Sequence, residues 1–169
     1  SPYKFPDELA MDILKLRNIK INDFILDFSV KPFKEYSASA INFHISCYDS
    51  KGINIFYKDN DIMLSCINSI LNGLRDYFLL YAQSEEEYMR YQNKNNDLLS
   101  IYEPYNCSFG IDNRTCAIRI PINNMIDKKH DMRFEFRVCS SQCNPIFALY
   151  GLVLSVYRCK FDNSTLNQI

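Results

Sequence analysis

Arginine and glutamate alternate with large apolar residues in one segment. Its charged side chains are the first candidates in the sequence for a binding or catalytic site. Arg133, Glu135 and Arg137 fall on one side of an extended segment whose other side is apolar: Met132, Phe134, Phe136 and Val138. Guanidinium groups suit phosphate or carboxylate oxygens, and a carboxylate among them can serve a metal ion. The alternative is a solvated ladder of ion pairs, each contributing little to stability.

Arg119 argues against the solvated alternative. It lies in the apolar run from Ala117 to Pro121, within a strand that we predict from Asn113 to Pro121. A long cation among apolar neighbours needs an anionic partner, because its lost hydration is otherwise not offset. We therefore expect Arg119 to be paired.

A third polar row is predicted in a strand from Ile41 to Cys47. Its two sides alternate strictly, with Ile41, Phe43, Ile45 and Cys47 on one and Asn42, His44 and Ser46 on the other. A single histidine in a strand is more often a hydrogen-bonded, half-buried residue than a ligand. From the residues alone, both roles stay open for His44.

Helices and a further strand must hold the strands that carry these polar rows. Asp7 caps a helix that runs to about Leu16, and a strand from Phe24 to Val30 ends before Pro32. Asp61 is the predicted N-cap of the longest helix, whose apolar stripe faces a core and comprises Ile62, Cys66, Ile70, Leu74 and Phe78.

Two shorter helices follow the long one. Ser84 and Glu87 form a capping box. Asn144 and Pro145 begin a thoroughly apolar helix, which we expect to be buried. Residues 92–97 are predicted to form a polar loop, and residues 160–169 a polar tail. Together the patterns predict one α+β domain over residues 1–169, with an antiparallel-rich sheet and helices packed on one face.

Composition narrows the class of protein. The 169 residues are 47% hydrophobic and 23% charged, enough for one domain with a core, and the net charge is −1. No basic field is present to hold a nucleic-acid backbone. No apolar run approaches the roughly 18 to 20 residues of a membrane span. We expect no nucleic-acid partner, no membrane association and a cytoplasmic location.

The seven cysteines are spread through predicted strands and helices. Their odd number and scatter favour reduced, buried thiols over a disulfide framework. Cys139 and Cys143 are spaced as a metal pair, but no second Cys/His pair accompanies them.

At these residues the sequence resembles a known family. The segment Asn113 to Pro121 is similar to the Asn-Arg-Ser-x-x-Ile-Arg-Ile-Pro motif of glutamine synthetases. Arg133 to Arg137 matches that family's Arg-x-Glu-x-Arg, with its Asn-Pro following at Asn144. Order, spacing and strand phase agree over some thirty residues, which a lone short motif does not achieve. The resemblance implies the catalytic fold shared by glutamine synthetases and guanido kinases.

The resemblance also covers the strand from Ile41, with departures. His44 and Ser46 match a nucleotide-contacting histidine and serine, while Asn42 stands in the place of a metal-binding histidine. Asn42 is neutral and therefore a weaker ligand for a hard cation. Ala38 and Ala40 replace loop glycines, which impedes close approach of the backbone to a substrate.

The resemblance implies roles for the remaining residues. Arg114 and Arg119 would neutralise the transferring phosphoryl group, and Glu103 would take a proton from ammonium. Arg133 would join His44 and Ser46 in nucleotide binding, Arg90 and Arg137 would hold the substrate carboxylate, and Glu135 and Asn42 would bind the metal. The implied cofactors are ATP and Mg²⁺ or Mn²⁺, and the implied substrates are glutamate, or a related amino acid, and ammonia.

The resemblance runs from about Leu9 to Tyr157 and covers only the later half of the synthetase catalytic domain. The first strands of that domain, which supply most metal-binding carboxylates, have no counterpart here. Two functions therefore stay open. One is an ATP-dependent carboxylate–amine ligase completed by a longer chain or a homo-oligomer. The other is a degenerate relative that acts by association or by weak phosphate or nucleotide binding.

Overall fold

The structure, a computed structural model, describes Glu8 and residues 11–12, 15–16, 27–33, 35–91, 102–122 and 128–158. Its centre is a four-stranded mixed sheet in the order β1-β4-β3-β2. The strands are β1 (Phe43–Ile45), β2 (Asn106–Ile111), β3 (Cys116–Ile120) and β4 (Phe134–Phe136). β4 pairs antiparallel with both β1 and β3, and β3 pairs parallel with β2. The predicted α+β class is confirmed.

Five α-helices with described bounds accompany the sheet. They are α1 (Ile55–Lys58), α2 (Asn60–Tyr81), α3 (Glu85–Tyr88), α4 (Lys128–Asp131) and α5 (Pro145–Tyr157), with one 3-10 turn at Met89–Tyr91. No helix in this part of the chain is long and apolar enough to cross a membrane.

The long helix α2 carries the predicted apolar stripe into the core. Met63, Cys66, Ile67, Ile70 and Leu74 are buried there against Ile118 of β3, Phe134 and Phe136 of β4, and Ala148 and Leu152 of α5. Each fully buried aliphatic side chain contributes about 1.5–3 kcal/mol. The sheet face towards α2 is therefore committed to packing, and only the opposite face is available to polar groups.

Four sequence expectations are corrected by local structure. The N-cap of α2 is Asp59, not Asp61, because the Asp59 carboxylate accepts the backbone N–H groups of Asp61 and Ile62. Residues 27–30 form no strand, since Asp27 accepts the N–H of Ser29 in a local turn. Residues 24–26 lie outside the described part, as do residues 92–97 and 160–169.

The strand predicted from Asn113 begins only at Cys116, after a turn in which Asn113 Oδ1 accepts the N–H of Thr115. Helix α5 is not buried on all sides, because its outer side chains Phe147, Tyr150, Val153 and Tyr157 are exposed. Its composition is apolar all round, so composition alone could not distinguish the packed side from the outer side.

Other expectations are confirmed. The described residues of the first predicted helix, Glu8, Met11, Asp12, Lys15 and Leu16, are helical. Ser84 caps α3, because its hydroxyl accepts the N–H of Glu87 and donates to the Glu87 carboxylate, and Asn144 caps α5 with Pro145 in its first turn. None of the six described cysteines forms a disulfide, and four of them are buried, whereas Cys107 is exposed.

A glycine permits the short connection between β2 and β3. The strands are parallel although only residues 112–115 join them. A Cβ at Gly110 would lie 2.9 Å from the Asn113 Cβ and 3.1 Å from the Cys116 Sγ. The returning chain therefore crosses closely over β2, which a larger residue at this position would obstruct.

Gly151 allows α5 to approach the buried end of α2, and this contact is testable. A Cβ at 151 would meet the Tyr81 hydroxyl oxygen at 2.8 Å, and Tyr81 is fully buried with its ring 4.9 Å from that of Phe136. We expect Gly151→Ala to destabilise the fold by about 1–2 kcal/mol, since overpacking outweighs the gain of about 1 kcal/mol in helix propensity.

Urea denaturation followed by circular dichroism measures this change. Val153→Ala, on the exposed side of the same helix, is the matched control and should stay within about 0.5 kcal/mol of wild type. Equal or greater stability of Gly151→Ala would contradict the close helix contact.

Candidate functional site

A row of polar side chains crosses the sheet on the face opposite α2. In the strand register, Glu135 of β4 lies directly opposite His44 of β1 on one side and Arg119 of β3 on the other. Directly paired residues project to the same face of a sheet. Three residues selected from separate sequence segments are therefore brought together by strand pairing.

Glu135 is the centre of this row. Its Oε1 lies 2.8 Å from Arg137 Nη1, its Oε2 lies 3.1 Å from Arg119 Nη1, and only 5% of its side chain is exposed. The contact with Arg119 is ionic but lacks hydrogen-bond geometry, which leaves Oε2 without a hydrogen bond. The interpretation as a solvated ladder is wrong here, because the carboxylate is buried between two cations.

Arg119 contacts a second carboxylate, which the sequence analysis did not single out. Its Nε lies 3.6 Å from Asp112 Oδ1, and the same oxygen accepts the N–H of Ile122. Asp112 has a φ of 48° at the turn after β2. Its position beside the Asn113–Arg114 motif was the available signal, although nothing local indicated that it would meet Arg119.

Arg137 is held by protein groups at each of its three guanidinium nitrogens. Besides the contact with Glu135, Nη2 donates to the Tyr102 carbonyl at 2.9 Å and Nε donates to the Arg114 carbonyl at 3.4 Å. Burial lowers the pKa of Arg137, and the charge of Glu135 opposes that shift. The side chain therefore joins two loop segments to the edge of β4.

His44 and Arg133 form the more accessible part of the face. Arg133 Nε donates to His44 Nδ1 at 3.3 Å, and Arg133 Nη1 donates to the Asp131 carbonyl at 2.9 Å. Desolvation lowers the pKa of His44, and the nearby arginines lower it further against the opposing charge of Glu135. The imidazole is thus neutral at neutral pH, and its 3.9 Å approach to Glu135 is not an ion pair.

Two predicted residues lie in the segment that Arg137 holds. Glu103 is buried and its Oε1 accepts the N–H of Ala38 at 2.7 Å, which links this segment to the chain before β1. Arg114 is exposed, and its guanidinium lies 5.7 Å from the ring centroid of Tyr102. The segment from Tyr102 is therefore tied to the polar face from two directions.

Arg90 is buried, unlike the exposed helical arginine that its sequence position suggested. Its Nη1 donates to the carbonyls of Cys139 at 2.5 Å and Val138 at 3.3 Å, and its Nη2 donates to the carbonyl of Arg137 at 3.3 Å. These contacts support the chain directly after β4. The predicted contact of Arg90 with a substrate carboxylate stays a prediction.

The described residues do not fit a divalent metal ion. Asn42, His44 and Ser46 are exposed, and Glu135 is the carboxylate directly opposite His44. Both of its oxygens already have guanidinium nitrogens within 3.1 Å. No group of three His, Cys, Asp or Glu side chains in the described ranges is arranged to hold an ion. Four arginines (Arg114, Arg119, Arg133 and Arg137) and three carboxylates (Asp112, Glu103 and Glu135) instead leave this site with an excess of positive charge.

Comparison with known proteins shows the family of this chain. The family described as glutamine synthetase, catalytic domain, matches residues 19–158. The chain belongs to the glutamine synthetase family. The match includes every residue of the polar face, together with the core and helices that position it.

Individual members of the glutamine synthetase family match most of the chain at low identity. The chain is 26% identical over 133 residues to gamma-glutamylputrescine synthetase PuuA of Escherichia coli (strain K12), 76% of this chain. It is 30% identical over 131 residues to gamma-glutamylethanolamide synthetase GlnA4 of Streptomyces coelicolor, again 76% of this chain. Type-1 glutamine synthetase 1 of Dictyostelium discoideum is 25% identical over 138 residues. The chain spans only about a quarter of the length of each relative, 26% in each case.

An apolar groove is separate from the polar face of this glutamine synthetase domain. It has a volume of about 290 Å³ and is lined by side chains such as Met63, Phe109, Ile120 and Met132. No charged side chain lines it, and none of the predicted site residues does. The charged row on the sheet is therefore the better candidate for a phosphate or a carboxylate ligand.

A structural role for Arg90 can be tested by charge-preserving substitution. Arg90→Lys should lower the free energy of unfolding by about 2 kcal/mol, because one ammonium group cannot replace charge-assisted hydrogen bonds to several buried carbonyls. Arg75→Lys, on the exposed side of α2, should change stability by less than about 0.5 kcal/mol.

Chemical denaturation of the protein without added ligand measures both variants. Unchanged stability of Arg90→Lys, together with weakened binding of glutamate, would favour the predicted substrate contact instead.

Proposed function

We propose that this chain carries the arginine-lined, phosphate-binding side of an ATP-dependent carboxylate–amine ligase of the glutamine synthetase type. The observation that carries the proposal is the row His44–Glu135–Arg119, extended by Arg133 and Arg137 along β4. In such a ligase, ATP phosphorylates the side-chain carboxylate of glutamate and ammonia or an amine displaces phosphate. Phosphoryl transfer depends chiefly on positioning and on neutralising charge, which favours several arginines on one face.

Within this proposal the arginines divide into two groups. Arg133, which contacts the neutral His44, and the exposed Arg114 near Tyr102 are suited to contact ATP phosphates directly, and Ser46 is exposed on the same side of its strand as His44. Arg119 is largely buried beside Glu135 and supplies positive charge there. Arg137 contacts the Tyr102 carbonyl and so positions the segment that carries Glu103, the proposed base for the incoming ammonium.

The acid substrate we propose is glutamate or a related amino acid, held by Arg137 or Arg90. The proposed class of amine substrates includes more than ammonia, because two of the relatives are named as synthetases of gamma-glutamylputrescine and gamma-glutamylethanolamide. We propose that the domain is single and works in a longer chain or in a homo-oligomer.

The ion, Mg²⁺ or Mn²⁺, is proposed only for such a fuller assembly. Glu135 by itself offers one carboxylate that two arginines already contact, so further carboxylates must come from outside the described residues.

A degenerate, non-catalytic relative is the second candidate. The observation in its favour is the pairing of Glu135 with Arg119 and Arg137, together with Ala38 and Ala40 in the place of loop glycines. Such a protein would keep the fold and a weak phosphate site, and would act by association.

The first prediction from this proposal concerns nucleotide binding. Arg133→Ala should weaken binding of ATP by roughly 1.5–3 kcal/mol, because it removes a charge-assisted contact, whereas His44→Ala removes a neutral contact of about 1 kcal/mol. Calorimetric titration with Mg-ATP compares the two, with Arg75→Ala as a control of equal charge change on α2. Equal losses for Arg133→Ala, His44→Ala and the control would contradict a phosphate site on this face.

The second prediction concerns turnover by this chain alone. Loss of about 5–6 kcal/mol of charge neutralisation slows a reaction by roughly four orders of magnitude, so glutamate-dependent phosphate release should be undetectable. The assay supplies ATP, glutamate and ammonium, putrescine or ethanolamine, and compares wild type with Arg137→Ala and Asn42→His. Release that disappears in Arg137→Ala would show a competent site. Restoration by Asn42→His would show that residues in this chain supply the other metal ligands.

A further inference from the structure

Glu135 is placed to neutralise arginines, which is a different task from holding a metal ion. Each of its oxygens is within 3.1 Å of a different guanidinium group, and its side chain and that of Arg137 are 5% and 8% exposed. A buried carboxylate so placed offsets the cost of burying two cations. A divalent ion at the same oxygens would lie next to both guanidinium groups and be repelled by them.

Arg137 and Arg119 differ in the number of protein groups that hold them. Arg137 is bound by Glu135 and by two backbone carbonyls, so its position does not depend on one partner. Arg119 lies between Glu135 and the half-exposed Asp112, and neither contact has hydrogen-bond geometry. Its Nε is buried without a hydrogen-bond partner. Arg119 therefore makes fewer hydrogen bonds than Arg137, and it is the guanidinium of this pair that a ligand can draw away from its counter-ions.

We propose that Glu135 is the internal counter-ion of Arg119 and Arg137, against which an incoming polyphosphate competes for Arg119, and that this exchange requires no divalent cation. The inference rests on the proposed function for the placement of phosphate on this face, and it assigns Glu135 a different role from the metal ligand implied by the family resemblance. Asp112 is the second, weaker counter-ion of the same arginine.

The physical basis is competition between anions for one cation. Arg119 cannot place the same N–H groups on a carboxylate and on a phosphate, and two anions on either side of it repel each other. Removing the charge of Glu135 therefore strengthens polyphosphate binding, whereas removing a metal ligand would weaken it. The two roles predict opposite signs for one substitution.

Calorimetric titration with inorganic pyrophosphate, first in EDTA and then in excess Mg²⁺, tests the sign. We expect wild type to bind in EDTA, Glu135→Gln to bind about tenfold more tightly, and Asp112→Asn about threefold more tightly, since one negative charge near the anion is lost in each. Asp76→Asn is the matched control, because it removes one exposed carboxylate on α2, and it should bind like wild type.

Asp112→Asn keeps the test available if Glu135→Gln does not fold, because an asparagine oxygen can still accept the N–H of Ile122. Circular dichroism establishes which variants are folded. Unchanged or weaker pyrophosphate binding by folded Glu135→Gln, or by Asp112→Asn when it is the variant available, would overturn the proposal.

The outcomes also separate this role from the ligase function. Wild-type binding that requires Mg²⁺ and is abolished in Glu135→Gln would make Glu135 a metal ligand, which overturns the counter-ion role and leaves the ligase proposal standing. Metal-free pyrophosphate binding that tightens in Glu135→Gln, without any binding of ATP, would support the counter-ion role and contradict the ligase proposal. Absence of binding for both ligands in every condition would contradict both.

Discussion

The arrangement of the polar face depends on one buried carboxylate between two guanidinium groups. Glu135 lies on the central strand β4, so its neighbours on both sides are fixed by strand pairing and not by flexible loops. Removing the carboxylate would leave Arg137 with only backbone carbonyls and Arg119 with only Asp112, and breaking a buried ion pair typically costs about 3–5 kcal/mol. The fold of the sheet and the charge balance of the site are therefore coupled at the same residue.

Buried arginines at this face also donate hydrogen bonds to backbone carbonyls. Arg137 donates to the carbonyls of Tyr102 and Arg114, and Arg90 donates to carbonyls of residues 137–139. Tyr91 also donates its hydroxyl to the Val138 carbonyl. Buried arginines thus connect the chain after β4 to helical and loop segments that are distant in sequence. An arginine at a family position can serve the fold and the site together, because its several donors point in different directions.

The chain shows why family membership and activity are separate conclusions. Residues 19–158 match the catalytic domain of glutamine synthetases, yet the described residues provide no set of ligands for a metal ion. Function depends on the particular groups in a site and on their charges, and a shared fold does not supply them. Here the two carboxylates of the charged row, Glu135 and Asp112, both lie against arginines.

Strand phase in the sequence was sufficient to predict which residues share a face. The alternation around His44 and Glu135, and the need of Arg119 for an anionic partner, follow from side-chain periodicity and from the cost of burying a charge. Helix caps at Ser84 and Asn144 were equally accessible, because their hydrogen bonds join residues two or three positions apart. The family could be inferred from the same segments, since order and spacing are properties of the sequence.

Contacts between distant segments were decided only by the tertiary structure. The pairing of Asp112 with Arg119, the burial of Arg90 and the parallel return from β2 to β3 depend on how the chain crosses itself. The exposed side of α5 likewise depends on which face packs against α2, because its composition is apolar on all sides. Local patterns specify the direction of a side chain, but its partner is fixed only when separate elements pack together and exclude water.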